Sequence, residues 1–297
     1  MRPMLIFTVL HPFVDAMSAS VLWLGTQEWR FFFAYNFCAF ALQLPFGVAL
    51  DWYPKALKSA FAVSVVLVAG GGILALCGQT AFPVLCLCCV GNALFHLSAG
   101  KLLLDCTKGR SGPIGVFIST GVFGLLAGKL FAVSHAAVLL PLLVVGLLAG
   151  GVVALGIAPF AGARQCGVFR LPLVNCCALA GLLLFVFCRS KVGLLGKPSD
   201  GTVLFLATVA LTSAAGAALG GCVAERVGRW PVVCVGLIGS ALLYWGVGMI
   251  APAACLAVIF LAQLATGPVL SYIHSATRHA SGTAFGFNCL GLFASLF

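Results

Sequence analysis

The sequence predicts an all-α, polytopic membrane protein. Of its 297 residues, 62% are hydrophobic and 7% are charged, and the mean hydropathy is +1.18. A chain with so little polar surface cannot cover a water-soluble domain of this size. Its apolar stretches are continuous and long enough to cross about 30 Å of hydrocarbon as helices. The alternating pattern of membrane β-strands is absent from them, which favours helices over a barrel.

The predicted spans are separated by short polar connections. They cover residues 4–24, 30–50, 59–77, 81–103, 113–133, 136–159, 171–188, 201–223, 231–250 and 252–272, and an eleventh begins at residue 282. The first span has no separate small-residue cleavage site and contains polar residues within its apolar run. We therefore expect it to be a retained helix and not a removed signal peptide.

The basic residues are distributed unequally between the two sides of the predicted bundle. Those on the side of the N-terminus are Arg2, Lys55, Lys58, Lys101, Lys108, Arg110, Arg164, Arg170, Arg226, Arg229 and Arg278, whereas the other side holds Arg30, Arg189, Lys191 and Lys197. By the positive-inside rule we expect a cytoplasmic N-terminus. We expect the membrane itself to be a bacterial plasma membrane. No tract of basic residues accompanies the net charge of +10, so we expect no nucleic-acid partner.

The chain contains 14 cysteines, and nearly all lie within predicted spans. Cysteine at such positions is a small apolar packing residue. We therefore predict reduced thiols, no disulfide framework, no metal site and no cofactor.

The two halves of the chain repeat each other. Asp51 and Glu225 come after the second and eighth spans in similar loops, at an offset of 174 residues. A second match aligns the segment that begins at Ser111 with the segment that begins at Ser281, at an offset of 170 residues. We predict two parallel six-helix units, at residues 1–160 and 171–297, joined by a cytoplasmic linker at 161–170.

The repeat also bears on the last predicted span. In the first copy the equivalent segment continues through all of a sixth helix, whereas the second copy ends at Phe297. We therefore expect an incomplete helix 11 and a missing helix 12, about 30–35 residues by comparison with the first copy. On this interpretation the sequence is truncated or a fragment.

Two parallel six-helix halves with a glycine-acid-basic loop in each resemble the major facilitator superfamily. The second loop matches the family pattern G-x-x-x-[DE]-R-x-G-R through Gly221, Glu225, Arg226, Gly228 and Arg229. The first loop keeps Gly47, Asp51 and Lys55 but has Trp52 and Pro54 where the pattern has arginine and glycine. The resemblance implies a transporter that works by alternating access, with these loop residues acting as a conformational latch.

The first half is similar to the fosmidomycin-resistance branch of that superfamily. The residues that carry this resemblance are His11-Pro-Phe-Val-Asp15, Gln43-Leu-Pro45-Phe-Gly47 and Gly91-Asn92-Ala-Leu-Phe95-His96; the chain departs from the branch at Leu97-Ser98-Ala99-Gly100. The resemblance covers essentially all of the chain. It implies proton-coupled efflux of a small drug-like or anionic compound by an antiporter.

Ionisable residues inside the first and fourth predicted spans indicate a site between these two helices. A charged side chain at a helix centre costs about 2.5–3.5 kcal/mol on insertion scales, so it faces a partner or a cavity. His11 and Asp15 share one face of the first span, and Asn92 and His96 share one face of the fourth. We expect a cluster with Asp15 as the residue of proton coupling. The alternative is a static hydrogen-bonded network between the two helices.

Further polar residues have two interpretations each. Asn36, Gln43 and Gln263 either face the cavity or satisfy neighbouring backbone. Lys129 either extends to the membrane interface or makes an electropositive mouth together with Arg189 and Lys191. Small residues at Gly121, Gly124 and Gly128 predict a close helix contact in the fifth span.

The acids of the two repeated loops lie at helix ends. Asp51 and Glu225 can accept hydrogen bonds from neighbouring helix N-termini or pair with Lys55, Arg226 and Arg229. Such contacts must break when the halves rock. The alternative is a solvated charge pair worth under about 1 kcal/mol.

The main competing class is a membrane enzyme. The six acidic residues form neither the paired motifs of a prenyltransferase nor the His-Glu-x-x-His of a metalloprotease. We therefore predict a non-enzyme, a monomer whose partners are a small-molecule substrate, protons and membrane lipid. Uptake of a sugar or organic acid, and a non-transporting remnant, are the alternatives to efflux.

Overall fold

The computed structural model describes residues 2–25, 28–133, 136–163, 173–195, 202–247 and 252–296. Within these ranges the regular structure is helical. The helices are α1 (Arg2–Leu24), α2 (Trp29–Asn36), α3 (Gln43–Trp52), α4 (Leu57–Leu76), α5 (Phe82–Thr107), α6 (Ser111–Val133), α7 (Leu140–Ile157), α8 (Leu173–Leu195), α9 (Val203–Val227), α10 (Arg229–Val247), α11 (Pro252–Leu264), α12 (Thr266–Ala276) and α13 (Ser281–Ala294).

The helices are those of a multi-pass membrane protein. In the described part of the chain, nine helical segments are long and apolar enough to cross a membrane, and a shorter apolar stretch, Asn175–Cys188, lies within α8. Large apolar side chains such as Leu204, Leu242 and Trp245 face outward, as expected where lipid and not water surrounds the bundle. The predicted fold class is confirmed.

Two of the predicted spans are interrupted helices. The second consists of α2 and α3 joined by a π-helical turn, Phe37–Ala41, and the tenth consists of α11 and α12 joined at Ala265. A π-helical turn has i to i+5 hydrogen bonds, interrupts an α-helix and is frequent at functional sites. Here it separates Asn36 from Gln43, the two polar residues predicted on this span.

Two loops of the structure lie at equivalent positions of the predicted repeat. Between α5 and α6, Lys108 and Gly109 have φ of 53° and 72°, and between α12 and α13, Arg278 and His279 have φ of 52° and 67°. The hydrogen bonds also match, because Gly109 N–H binds the Leu104 carbonyl and His279 N–H binds that of His274. The two loops therefore have the same backbone conformation at the offset of 170 residues.

The bundle has a near end and a far end. The near end is where α1 begins, and there α3, α5 and α9 end while α6 and α13 begin. The far end is where α1 ends. The predicted linker, from residue 164, and the basic residues Arg164, Arg170 and Lys197 lie outside the described residues, and the described cysteines are free thiols.

Candidate functional site

Three ionisable side chains from α1 and α5 meet inside the bundle. His11 Nε2 lies 3.1 Å from Asp15 Oδ2, and His96 Nε2 lies 3.5 Å from Asp15 Oδ1. The two imidazoles are closer still, with 2.7 Å between His11 Nε2 and His96 Nε2. The side chains of His11, Asp15 and His96 are 4%, 8% and 14% exposed. The structure thus brings together the cluster predicted from the sequence.

Backbone carbonyls determine the tautomers of both imidazoles. His11 Nδ1 lies 2.8 Å from the Phe117 carbonyl oxygen, and His96 Nδ1 lies 2.9 Å from that of Asn92. A carbonyl only accepts, so each Nδ1 carries the hydrogen and donates it. In two neutral rings, both Nε2 atoms would therefore direct lone pairs at each other beside a carboxylate.

The cluster also offers ligand atoms to a metal ion. Its three groups place one ligand atom each within 4.8 Å of one another. At zinc–nitrogen distances of about 2.0–2.1 Å, however, two tetrahedral ligands stand roughly 3.3 Å apart. The 2.7 Å between the imidazole nitrogens is shorter than that and is the length of a hydrogen bond. The arrangement therefore fits a proton between the rings better than a metal ion.

A shell of polar groups holds Asp15 in place. Asn92 Nδ2 donates to Asp15 Oδ1 at 3.0 Å and lies 3.2 Å from Ser18 Oγ. Ser18 Oγ in turn donates to the Val14 carbonyl, and the Cys88 thiol lies 3.6 Å from Ser18 Oγ. Asn92 therefore belongs to the cluster, as predicted.

Glycines on α6 allow this helix to close over the cluster. A Cβ added at Gly121 would overlap Asp15 and His11, and one at Gly124 would overlap the backbone of Pro12. One turn further along, Gly128 packs on Ala16 and its carbonyl accepts a hydrogen bond from Ser20. The small residues of the fifth span thus provide the close helix contact that their spacing predicted.

A cavity of about 570 Å³ occupies the far half of the bundle. Apolar and aromatic side chains dominate its wall, among them Trp23, Phe32, Tyr35 and Phe40. Lys129 also lines it and places its ammonium 4.6 Å from the centre of the Trp23 ring. Helices α1, α2 and α6 of the first repeat and α8, α9 and α13 of the second contribute to the wall, so the cavity lies between the two repeats.

The four polar residues of the cluster do not line this cavity, and the three further residues predicted to face it are placed differently from one another. Asn36 lines the cavity but donates its amide to the Phe32 carbonyl at 2.7 Å. Gln43 is buried, donates to the Ala39 carbonyl and accepts from the Cys289 thiol. Gln263 accepts from Thr266 at the break between α11 and α12. The cluster thus forms without Gln43 and Gln263.

Asp51 holds the two halves together at the near end. It accepts hydrogen bonds from the backbone of Gly282 at 3.0 Å and from the backbone of Thr283 at 2.7 Å, and the Thr283 hydroxyl adds another at 2.8 Å. These donors are the unpaired N–H groups of the first turn of α13, where negative charge is favoured. Gly47 allows the approach, because a Cβ there would overlap the Gly282 backbone.

Glu225 makes the equivalent contact from the other half. Its Oε1 accepts the backbone N–H of Gly112 at 2.9 Å, in the first turn of α6, and both its oxygens bind the guanidinium of Arg110. This hydrogen-bonded carboxylate raises the pKa of Arg110. Gly221 allows α9 to approach Ser111, because a Cβ at Gly221 would overlap the Ser111 carbonyl. Each repeat thus caps a helix of the other.

The basic partners predicted for these acids are not the ones that the structure shows. Asp51 pairs with Lys101 and Glu225 with Arg110, whereas Lys55 and Arg226 are exposed and make no ion pair within the described residues. Arg229 instead packs over the ring of Tyr272 and lies 3.5 Å from Ser275 Oγ. Gly228 ends α9 at a φ of 92°, which favours glycine.

Lys101 differs from its predicted place and belongs to a group of residues that the sequence did not reveal. The charge distribution places it among the basic residues at the membrane surface, but it is fully buried in α5, 2.7 Å from Asp51 and 3.3 Å from Asp105. Asp105 in turn accepts a hydrogen bond from Ser281, which lies 3.0 Å from His274 Nε2. The Lys101 and Asp105 pair at i and i+4 was the available signal.

Known proteins resemble this chain in fold and not in sequence. No family model matches the sequence, and no curated protein matches it. Solved structures do match: a single-residue variant of the E. coli fucose:proton symporter FucP, at a TM-score of 0.60 and 13% identity, covers 98% of this chain and is itself covered to 88%. FucP in the outward conformation matches at a TM-score of 0.56 and 12% identity. This match covers 96% of this chain and 89% of that one.

A bacterial homologue of the iron transporter ferroportin, outward-facing and soaked with iron, matches at a TM-score of 0.52 and 14% identity. This match covers 99% of this chain and 89% of that one. The protein has the major facilitator fold. At such low identity the likeness concerns the fold alone. The similarity to the fosmidomycin-resistance branch therefore stays a prediction.

Proposed function

We propose that this protein is a secondary active transporter that exports a small amphiphilic anion in exchange for protons. The observation that carries the proposal is the 2.7 Å contact between the Nε2 atoms of His11 and His96 beside Asp15. Proton binding at this cluster supplies the coupling, and rocking of the two halves of the major facilitator fold supplies the movement. Each step rests on a separate part of the molecule.

The first step is the binding of one proton by the cluster. With both Nδ1 hydrogens donated to carbonyls, the facing Nε2 atoms repel unless a proton lies between them. That proton makes one imidazole a cation, which the adjacent Asp15 carboxylate neutralises. A second proton would place net positive charge in a site of low dielectric constant, where it is costly. The cluster is therefore suited to binding and releasing single protons.

The second step is alternating access. The cavity lies at the far end, whereas at the near end Asp51 and Glu225 join the two halves. This is the arrangement of a transporter that is open on one side and closed on the other. Opening the near end requires both acids to leave the N-termini that they cap. The residues of the two loops therefore act as the latch, with Lys101 and Arg110 as the basic partners.

The third step is the choice of substrate. Lys129 is held against Trp23 with its ammonium facing the cavity, and no ion pair within the described residues neutralises it. Glu28, the acid in the cavity wall, lies 2.6 Å from Arg30 and is neutralised by it. An aromatic wall with one available cation favours a molecule that has an apolar body and an anionic group.

The membrane orientation completes the proposal. With the N-terminus in the cytoplasm, the far-end cavity opens to the outside and the latch residues lie at the cytoplasmic surface. Protons then enter from the outside, and the substrate leaves in the opposite direction. Uptake together with protons is the alternative, and it would use the same cluster.

Proton exchange against a phosphonate probe tests the proposal. Purified protein in liposomes that enclose a pH-sensitive dye is given fosmidomycin, the anion suggested by the sequence resemblance, and proton movement is recorded. We expect fosmidomycin to drive protons in the opposite direction, and no proton movement with Asp15→Asn. Proton movement in the same direction as the probe would establish symport and reject the antiport proposed here.

A metal ion as the occupant of the cluster is tested in the same preparation. If zinc binds at the cluster, isothermal titration shows binding to the parent protein and none to His96→Gln. We expect no such difference, because the imidazole nitrogens are spaced for a hydrogen bond. Tight zinc binding that depends on His96 would overturn the role of the cluster as a proton site.

A further inference from the structure

We propose that the near end of the protein binds an oxyanion, a phosphate group, at the start of α6 between Ser111, Arg110 and Arg229. A cavity of about 550 Å³ lies there, and these three residues line it together with Glu225 and Tyr272. It is separate from the far-end cavity of the proposed transport function. An unpaired hydroxyl, the repeat and the local charge each support this site.

Ser111 has a buried hydroxyl that lacks a partner among the described residues. The residue is 2% exposed, and its Oγ makes no hydrogen bond with the rest of the described chain. Within a helix, a serine can donate to a carbonyl of the preceding turn, as Ser119 does to Val116. Ser111 is the first residue of α6 and has no such carbonyl. An unpaired buried hydroxyl costs about 1–3 kcal/mol, so an acceptor is expected there.

The other repeat shows which kind of acceptor fits. Ser281, the equivalent of Ser111, donates its hydroxyl to Asp105 Oδ1 at 2.6 Å. The residue equivalent to Asp105 is Ser275, so the second copy has a short hydroxyl where the first has a carboxylate. The carboxylate of Glu225 does not replace it, because it binds Gly112 and Arg110 and makes no hydrogen bond with Ser111 Oγ. The oxygen of a bound anion would take the place of Asp105.

The charges around Ser111 favour an anion. Arg110 is balanced by Glu225, whereas Arg229 has no carboxylate within ion-pair distance among the described residues. Its guanidinium is held 5.5 Å from the centre of the Tyr272 ring and faces the same cavity. The N-terminus of α6, a helix of 23 residues, adds its partial positive charge. The cavity thus has a net positive wall and an available donor.

A phosphate group reaches this cavity from either of two sources. The cavity opens at the near end, where Trp230 is 62% exposed and its ring lies 5.0 Å from that of Tyr272. Aromatic residues at this depth are typical of the headgroup region. Both the headgroup of an anionic phospholipid and free phosphate are therefore within reach. The bound anion would brace Arg110 and Arg229 at the closed near end.

Thermal unfolding of the purified protein tests the site. The protein in a neutral detergent is heated while tryptophan fluorescence is recorded, with sodium phosphate in one arm and sodium chloride at equal ionic strength as its control. In the second arm phosphatidylglycerol is compared with phosphatidylcholine. We expect phosphate or phosphatidylglycerol to raise the unfolding temperature, and the arm that responds identifies the source.

Three variants make the test specific. Ser111→Ala should weaken the stabilising effect roughly tenfold in apparent affinity, since a hydrogen bond to a charged group is lost. Ser275→Asp supplies the missing carboxylate and should abolish the effect while raising the basal unfolding temperature. Lys58→Gln removes an exposed charge elsewhere at the near end and should leave the effect unchanged.

Two results would overturn the site. The first is that neither phosphate nor phosphatidylglycerol stabilises the protein beyond its control, and the second is that Ser111→Ala responds as the parent does. Should Ser275→Asp fail to fold, Arg229→Gln replaces it, with the same expected loss of stabilisation. Because these measurements involve no transport, their outcome is independent of the exchange assay.

Discussion

Lys101 Nζ lies 2.7 Å from Asp51 Oδ1 in the interior of the bundle, at the point where α3 and α5 meet the first turn of α13. The lysine belongs to the first repeat, and the helix that Asp51 caps belongs to the second. A fully buried cation thus orients the carboxylate that closes the near end. Burying such a pair costs desolvation energy. Removing only one partner destabilises the protein strongly, because the other charge is left buried and unpaired.

Replacing Lys101 with Met should therefore lower stability strongly. In soluble proteins, breaking a buried pair on one side costs about 3–5 kcal/mol. We expect a clear drop in the thermal unfolding temperature of Lys101→Met in detergent, and a partial recovery in the double variant with Asp51→Asn. Lys55→Met is the matched control, because Lys55 is exposed. Equal effects of the two lysine variants would contradict the structural role of the pair.

Replacing Asp15 with Asn should separate proton coupling from transport. Asparagine keeps the shape of the side chain but removes the charge that neutralises a protonated His11 or His96. We expect Asp15→Asn to lose movement of fosmidomycin driven by a pH gradient and to retain part of the exchange at equal pH. His96→Ala should damage both activities, since it also opens a space beside His11. Full gradient-driven transport by Asp15→Asn would assign Asp15 a structural role.

A methyl group at Gly121 should disturb the cluster from α6. The added Cβ would overlap Asp15 Oδ2 and His11 Nε2, so either α6 moves away or the imidazoles separate. We expect Gly121→Ala to reduce proton-coupled transport at least tenfold. Gly70→Ala is the control, because nothing lies within 4 Å of a Cβ at that helical position. A wild-type rate for Gly121→Ala would show that the contact is not as close as described.

Glu225 should govern the rate of alternation and not the affinity for substrate. It lies at the near end, whereas the cavity lies at the far end. We expect Glu225→Gln to lower turnover severalfold by shifting the populations of the two states by about 1–2 kcal/mol. Arg110→Gln should reproduce the effect, and Arg226→Gln should have little. Complete loss of fosmidomycin binding by a folded Glu225→Gln would place Glu225 in the substrate site.

The membrane orientation is open to a direct test. Gln79 lies just after α4 at the far end and Lys108 just after α5 at the near end, and both are exposed. Single cysteines at these positions, in a background free of other cysteines, should react with a membrane-impermeant reagent from opposite sides of intact cells. We expect the cysteine at residue 79 to be labelled from outside. Labelling of both from the same side would reject the topology.

Sequence alone determined the helical membrane fold, the repeat and the central cluster. Hydropathy reports how much apolar side chain a segment carries, and this decides whether the segment enters the bilayer. The cluster was predictable because an ionisable residue inside a span needs a partner. His11 and Asp15 lie one turn apart, and the resemblance placed His96 in a neighbouring helix.

Only the tertiary structure decided the partners at the near end. Lys101 lies near the end of an apolar span, where a lysine that extends to the interface and one buried in an ion pair look alike in the sequence. Its partner Asp51 is 50 residues away, and Arg110 is 115 residues from Glu225. The local sequence does not indicate contacts between residues so far apart in the chain, because packing of the two repeats brings these groups together. The hydroxyl of Ser111, unpaired among the described residues, likewise became visible only once its neighbours were placed.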